Sequence, residues 1–147
     1  MSEYCFSATV ESRRDTIFDV LMDPSNLPRF VSRIEAAEPL GDDGVLIRGR
    51  GFALDASVRI VDVLRRLEWN VGADWNGWVQ VDGDDDAGVA QVRAEVRYAP
   101  RSRGRSAAMA RVNAQVGDIG ECLSTSVLAL KSLVETMPRV STAPRAE

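Results

Sequence analysis

The hydrophobic pattern of this chain changes period late in the sequence, and that change constrains the fold more than any other feature. Between residues 34 and 100 apolar and polar residues alternate in short runs broken by turn chemistry. Beyond the stretch Arg101-Ser-Arg-Gly-Arg105, Met109, Val112, Val116, Ile119, Leu123, Val127, Leu130, Val134 and Met137 recur at threes and fours. A period of two belongs to a strand with one wetted face, and a period near 3.6 to a helix with one apolar stripe. The alternating region predicts strands at Ile34 to Leu40, Val45 to Phe52, Leu54 to Leu64, Leu67 to Val71, Trp75 to Val81 and Val89 to Tyr98. Their connections include Gly41-Asp-Asp-Gly44, the Arg65-Arg66 bend and Asp82-Gly-Asp-Asp-Asp-Ala-Gly88. Connections this short make neighbours of consecutive strands, so the six form an antiparallel meander. Gly117 and Gly120 weaken the middle of the helical region, which is expected to kink there or to be loose in its first half. Its second half runs from about Glu121 to Met137 and is closed by Pro138.

The N-terminal segment adds one more strand. Tyr4, Phe6, Ala8 and Val10 alternate with Cys5, Ser7, Thr9 and Glu11. Ser12-Arg-Arg-Asp15 then reads as a capping box, with Ser12 as cap and Asp15 as the reciprocal carboxylate. The helix continues through Ile17, Phe18, Val20, Leu21 and Met22 and stops at Asp23-Pro24, because a residue before proline is pushed out of the helical region. A second short helix is expected from Ser25 to Arg33, with Leu27, Phe30, Val31 and Ile34 on its apolar side. The order is β-α-α-β6-α: an α+β chain with a seven-stranded antiparallel sheet and a long C-terminal helix. At 147 residues, a chain buries roughly two thirds of its unfolded surface, enough for one core without staples. A single domain over residues 1–137 is expected, followed by a polar tail, residues 138–147, expected to be disordered.

Composition removes several kinds of chemistry. There is no histidine, which excludes Ser-His-Asp and Cys-His catalysis and every zinc site that needs imidazole. The formal net charge of -4 gives a phosphate backbone no general attraction, so nucleic acid is not an expected partner. Lys131 is the sole lysine among 18 basic residues, a bias that fits a G+C-rich bacterial genome. Cys5 and Cys122 lack a CxxC spacing and read as reduced core residues. The N-terminus Met-Ser-Glu-Tyr carries no basic or apolar leader pattern, and no apolar run reaches the length of a membrane span. A cytoplasmic protein, monomer or homodimer, needing no metal and no cofactor, is the expectation.

Two stretches resemble a known superfamily. Phe6-Ser-Ala-Thr-Val-Glu11, Asp15-Thr-Ile-Phe-Asp-Val-Leu21 and Asp23-Pro-Ser-Asn-Leu-Pro-Arg-Phe30 are similar to the opening strand and helix pair of START-like (Bet v 1-like, SRPBCC) proteins. Within that superfamily they resemble the bacterial polyketide cyclase/dehydrase and lipid-transport group. Arg59-Ile-Val-Asp-Val and Arg65-Arg-Leu-Glu-Trp69 are similar to a hairpin of that superfamily that ends in an aromatic, although the proline usual near the bend is missing here. The resemblance covers about residues 4 to 137. It implies a helix-grip architecture, a curved sheet wrapped around the C-terminal helix with an elongated apolar cavity between them. The motifs are structural, so they specify fold better than activity.

The residues offer candidates for that cavity. Ala90, Val92, Ala94, Val96 and Tyr98 form the apolar set of the last strand, and its inward alanines leave space under a helix. Gly49, Gly51 and Gly77 add to that space, unless large neighbours such as Phe52, Trp69 and Trp78 fill it. Phe30, Phe52, Trp69, Trp78, Ala94, Leu123, Val127 and Leu130 are expected to line the site, with Arg48, Asp62 and Tyr98 its polar groups. Arg48 and Asp62 fall in apolar runs, and strand register places them either inside as ligand-orienting groups or outside with Arg50 and Arg59. Trp75 and Trp78, three apart, do not share a strand face without a bulge. Ser124, Thr125 and Ser126 offer hydroxyls to a ligand or bond back to the helix. Arg97, Arg101, Arg103, Arg105 and Arg111 either hold an anionic group at the cavity mouth or form an exposed basic loop. Asp82-x-Asp84-x-Asp86 copies the start of a calcium loop but carries Ala87 and Arg93 where glycine and glutamate are required, so it reads as a turn.

Three functions remain open on this reading. The first is binding, with possible transport, of a small hydrophobic or amphipathic molecule such as a lipid, quinone or polyketide. The second is a polyketide cyclase or aromatase working without histidine or metal. The third is a protein-interaction module with a collapsed cavity. A carrier predicts a nearly all-apolar lining, a cyclase an inward arginine or carboxylate, and an interaction module no cavity.

Overall fold

The computed structural model describes residues 2–31, 33–49, 51–71, 75–84, 87–98 and 119–136. Its seven strands are β1 (Ser2–Val10), β2 (Ala36–Leu40), β3 (Gly44–Gly49), β4 (Phe52–Val61), β5 (Arg66–Val71), β6 (Trp75–Asp82) and β7 (Ala90–Tyr98). They form one antiparallel sheet in the order β1-β7-β6-β5-β4-β3-β2. The predicted meander accounts for β2 to β7, and β1 closes the far edge by pairing with β7. Helix α1 (Arg14–Met22) leads through a single 3-10 turn, Pro24–Asn26, into the short helix α2 (Leu27–Phe30), and α3 (Ile119–Thr136) follows the sheet.

Period-two alternation is visible along β7. Ala90, Val92, Ala94 and Val96 are buried while Gln91, Arg93 and Arg97 are exposed, as the sequence predicts. The core joins these residues to Val10, Ile17, Phe18, Leu21, Leu123, Val127, Leu130 and Val134. Helix α3 packs against β1, β7, α1 and α2. Its apolar stripe points at the sheet, and the sole lysine fixes its C-terminal half: Lys131 Nζ donates to the Thr9 carbonyl at 2.9 Å and to Glu135 Oε2 at 2.6 Å. Glu135 Oε2 also accepts the Glu11 backbone N–H at 2.7 Å. Two bonds, one to the Thr9 carbonyl and one from the Glu11 N–H, thus tie the last two turns of α3 to the end of β1, with the Lys131–Glu135 pair bracing them within the helix.

Several boundaries differ from the sequence reading. Helix α1 starts at Arg14 with Arg13, not Ser12, at the N-cap and no side-chain cap, and the Asp15 carboxylate accepts from Arg65 Nε at 2.7 Å. The second helix is shorter than predicted, since Val31 turns to extended backbone. The third predicted strand stops at Val61, and Asp62–Leu64 is a 3-10 turn capped by Arg65 in the left-handed region at φ 49°. Phe52 begins β4, opposite Gly49, rather than ending β3. The stripe from Met109 to Val116, Gly117, Met137, Pro138, the run Arg101 to Arg105, Arg111 and the tail 138–147 lie outside the described residues.

Candidate functional site

Between α3, the α1–α2 corner and the inner face of the sheet lies a cavity of about 300 Å³. Strand alternation supplies one wall: Val45 and Ile47 of β3, Ala56 and Val58 of β4, Leu67, Trp69 and Val71 of β5, Trp75 and Val79 of β6, Ala94 and Val96 of β7. Within each of these strands the residues named are two or four apart, as expected for one covered face of a sheet. The corner supplies Leu21, Met22, Pro24, Leu27, Phe30, Val31 and Ile34. Its bend is set locally: Asp23 is extended before Pro24, and its carboxylate accepts from the Ser25 hydroxyl at 2.7 Å and the Ser25 N–H at 3.0 Å. Those bonds hold the Asp23 carboxyl below the usual carboxylate range. Helix α3 borders it with Cys122, Leu123, Ser126, Val127 and Leu130.

Two aromatic arrangements shape the sheet wall. Trp69 stands opposite Gly77 in the β5–β6 register, and a Cβ built on Gly77 would lie 2.5 Å from Trp69 Cζ2. The indole therefore occupies the place of the missing side chain, so Gly77 leaves no empty space. Gly51 is exposed in the β3–β4 turn at φ 80°, a conformation that favours glycine. Ala56 and Ala94 are the small side chains of the sheet wall, whereas Gly77, filled by Trp69, contributes no space. On β6, Trp75 is buried and its ring meets Tyr98, its register partner, at 4.7 Å between centroids.

Of the residues expected to line the site, Phe30, Trp69, Trp78, Ala94, Leu123, Val127 and Leu130 border the cavity. Trp78 does so beside Gly77, while its indole shares the outer face with Arg66 and Arg93, whose guanidinium carbons lie 4.3 and 5.8 Å from the ring centroid. Tyr98 stands behind Trp75 rather than on the cavity border. The Phe52 side chain lies outside the described ones. Arg48 and Asp62 are away from the cavity: Val45 and Ile47 take the inner positions of β3, so alternation turns Arg48 outward and exposed. Asp62 has left the sheet altogether, with its side chain 81% exposed beside Arg65. Sequence reasoning named Phe30 but missed the rest of the lining at the α1–α2 corner and Ala56, and left open which of Trp75 and Trp78 faces inward; Cys122, read as a core residue, borders the cavity, whereas Cys5, read the same way, is exposed because its parity in β1 turns it outward.

Among the described residues, the charged side chains of β5, β6 and β7 lie on the outer face of the sheet. There Arg66 pairs with Glu68 at 2.8 Å and Arg93 with Asp82 at 2.6 Å. Burial pushes the Asp82 carboxyl up, but hydrogen bonds from Gln80 and Arg93 outweigh it and hold the group below the usual range. Asp82 is thus engaged in the sheet, while residues 85–86, with Asp86 of the acidic run, lie outside the described residues. Cys5 sits on this face, its thiol raised by desolvation and by neighbouring Glu95. Inside, among the described residues, Cys122 and Ser126 are the only hydroxyl or thiol side chains on the border, and Glu95, the single charged residue there, directs its carboxylate to Cys5 and Arg97 on the outer face. The described border thus offers apolar surface rather than charge.

No protein-family model matches the chain, and no curated protein sequence matches it. Solved structures do match. The Zhui aromatase/cyclase from Streptomyces sp. R1128 is similar over 99% of each chain, with a TM-score of 0.74 at 14% identity. A START superfamily protein from Mycobacterium smegmatis gives 0.68 at 13% identity over 92% of this chain and 99% of that one. The di-domain aromatase/cyclase BexL of the BE-7585A biosynthetic pathway gives 0.69 at 19% identity, this chain spanning 47% of its length. The chain therefore has the START (SRPBCC) superfamily fold, a helix-grip-like α+β architecture. Identities this low establish the fold alone. No helix among the described residues is long and apolar enough to cross a membrane.

Proposed function

We propose that this chain binds a small hydrophobic or amphipathic molecule, of the kind represented by a lipid, quinone or aromatic polyketide, between the sheet and α3. The observation that carries the reading is the lining: a cavity of about 300 Å³ bordered by aliphatic and aromatic side chains, with Arg48 and Asp62 outside it. That volume is about twice the roughly 150 Å³ that accepts benzene in a dry protein cavity, so a guest of about a dozen carbon atoms fits. Binding follows from transfer of the guest's apolar surface out of water, at roughly 25 cal/mol per Å² before the costs of association.

The likeness to aromatase/cyclases favours a second reading, in which the cavity folds a flexible chain for ring closure. Catalysis of that kind needs a polar group held against a developing charge. The candidate guanidinium and carboxylate are both on the outside, and this supports binding over chemistry. Titration with an apolar fluorophore of naphthalene size, read by energy transfer from Trp69 and Trp75, tests the proposal. Saturable binding at one site per chain, lost in Ala94→Phe with the circular dichroism intact, is the expected result. Absence of saturable binding to the unmodified chain would overturn it.

A further inference from the structure

Resting on the cavity-binding reading, we propose that the ligand is an uncharged molecule with a hydrogen-bonding oxygen, a ketone, quinone or alcohol, and that Ser126 is the residue that selects it. Helix α3 carries several hydroxyls, and their fates differ. Ser124 Oγ donates to the Glu121 carbonyl at 3.1 Å and Thr136 Oγ1 to the Ser132 carbonyl at 2.9 Å, while Thr125 and Ser132 are exposed. Ser126 alone of these borders the cavity, and among the described residues its hydroxyl makes no bond back to the helix. It lies between Cys122, four residues before, and Leu130, four after, so the three share one face of α3 and all border the cavity. A hydroxyl on the border of an apolar cavity, not spent on the helix, is left to bond a guest oxygen, and a guest without one that excludes water leaves it unpaired.

The described part of the wall favours an uncharged group at Ser126. The described residues bring no cationic side chain to the cavity border, so a carboxylate or phosphate there would be desolvated without a counter-charge. The geometry therefore points to a neutral oxygen at Ser126 and an apolar body reaching towards Trp69 and Leu67.

The test compares naphthalene, its methyl ketone acetylnaphthalene and its carboxylate naphthoate, with dissociation constants read from tryptophan emission. The ketone is expected to bind the unmodified chain about three- to tenfold tighter than the hydrocarbon, the range of one neutral hydrogen bond, and naphthoate more weakly than either. Ser126→Ala should abolish the ketone's advantage and leave naphthalene unchanged, which also shows the variant is folded; Ser126→Thr should keep the advantage. An equal effect of Ser126→Ala on ketone and hydrocarbon, no effect on either, or naphthoate as the tightest binder would overturn this inference while leaving cavity binding intact. Failure of all three to bind the unmodified chain would overturn both.

Discussion

Asp15 and Arg65, separated by 50 positions, meet at 2.7 Å between Oδ1 and Nε. Arg65 is held in a left-handed conformation at φ 49°, which costs a non-glycine residue about 1 kcal/mol or more. Its backbone is over-determined: its N–H donates to the Asp62 carbonyl at 3.0 Å and its own carbonyl accepts the Val81 N–H at 2.9 Å. One residue thus joins the β4–β5 bend to β6 and to the first turn of α1. Since α1 ends in Leu21 and Met22 at the cavity border, the contact sets how the helical corner sits over the sheet.

A double-mutant cycle with Asp15→Asn and Arg65→Gln measures this contact. The Asp15 side chain is 45% exposed and that of Arg65 22%, so solvent screening keeps the coupling at about 0.5–1 kcal/mol. Asp15→Asn alone should lower Tm by about 2–4 °C. Additivity of the two variants would show that the pair contributes nothing.

Stability should be flat in pH across neutrality and fall in acid. The Asp15 carboxyl is lowered first by its hydrogen bond from Arg65, and that of Glu135 by the Glu11 N–H and then Lys131. Asp82 is lowered as well, its bonds to Gln80 and Arg93 exceeding the effect of burial. A carboxyl depressed in the folded chain stabilises it fully above the unfolded value and loses that contribution as pH falls through the folded value. With no histidine to titrate, Tm is expected to be level from about pH 5.5 to 8 and to drop below about pH 4.5. Thermal unfolding across this range checks it, and a step between about pH 6 and 7 would contradict it.

Gly77→Ala should displace Trp69. The new methyl would sit 2.5 Å from Cζ2 and would also crowd the Glu95 carbonyl across the strand pair. Overpacking of this kind costs about 1–3 kcal/mol. Together with that loss, tryptophan emission should shift as the indole leaves the cavity wall. Unchanged Tm and emission would show that Trp69 does not depend on the glycine.

These contacts also mark how far the sequence could be read. The strands were legible because period-two alternation is local, and the inward set Ala90, Val92, Ala94 and Val96 follows from it directly. What failed was whatever depends on a distant partner. Ser12 and Asp15 have the spacing of a capping box, but Asp15 is engaged by Arg65 across the fold. Arg48 and Asp62 looked alike in their apolar runs, yet one is turned outward by register and the other falls in a 3-10 turn. Trp75 and Trp78 carry opposite parity, and only pairing, of Trp75 with Val71 and Tyr98 and of Trp78 with Glu68 and Glu95, tells which ring faces inward. Gly77 itself read as a gap because nothing local reveals that Trp69 lies across it.

Substituting Ala94 addresses the site without touching the scaffold. Ala94 is 6% exposed on the cavity wall, and Ala94→Phe puts a ring into space a guest would use. Ligand binding should fall at least tenfold, about 1.4 kcal/mol, with the far-ultraviolet spectrum retained. Loss of the folded spectrum would instead identify the position as close-packed core.

The central claim is that the cavity holds an apolar guest, and native mass spectrometry of the freshly purified chain tests it most directly. The account predicts an added mass of lipid, quinone or aromatic size at one per chain, released on denaturation and absent from Ala94→Phe. A bare chain, whose Tm is not raised by about 5 °C or more at saturating concentrations of any apolar compound, would contradict it.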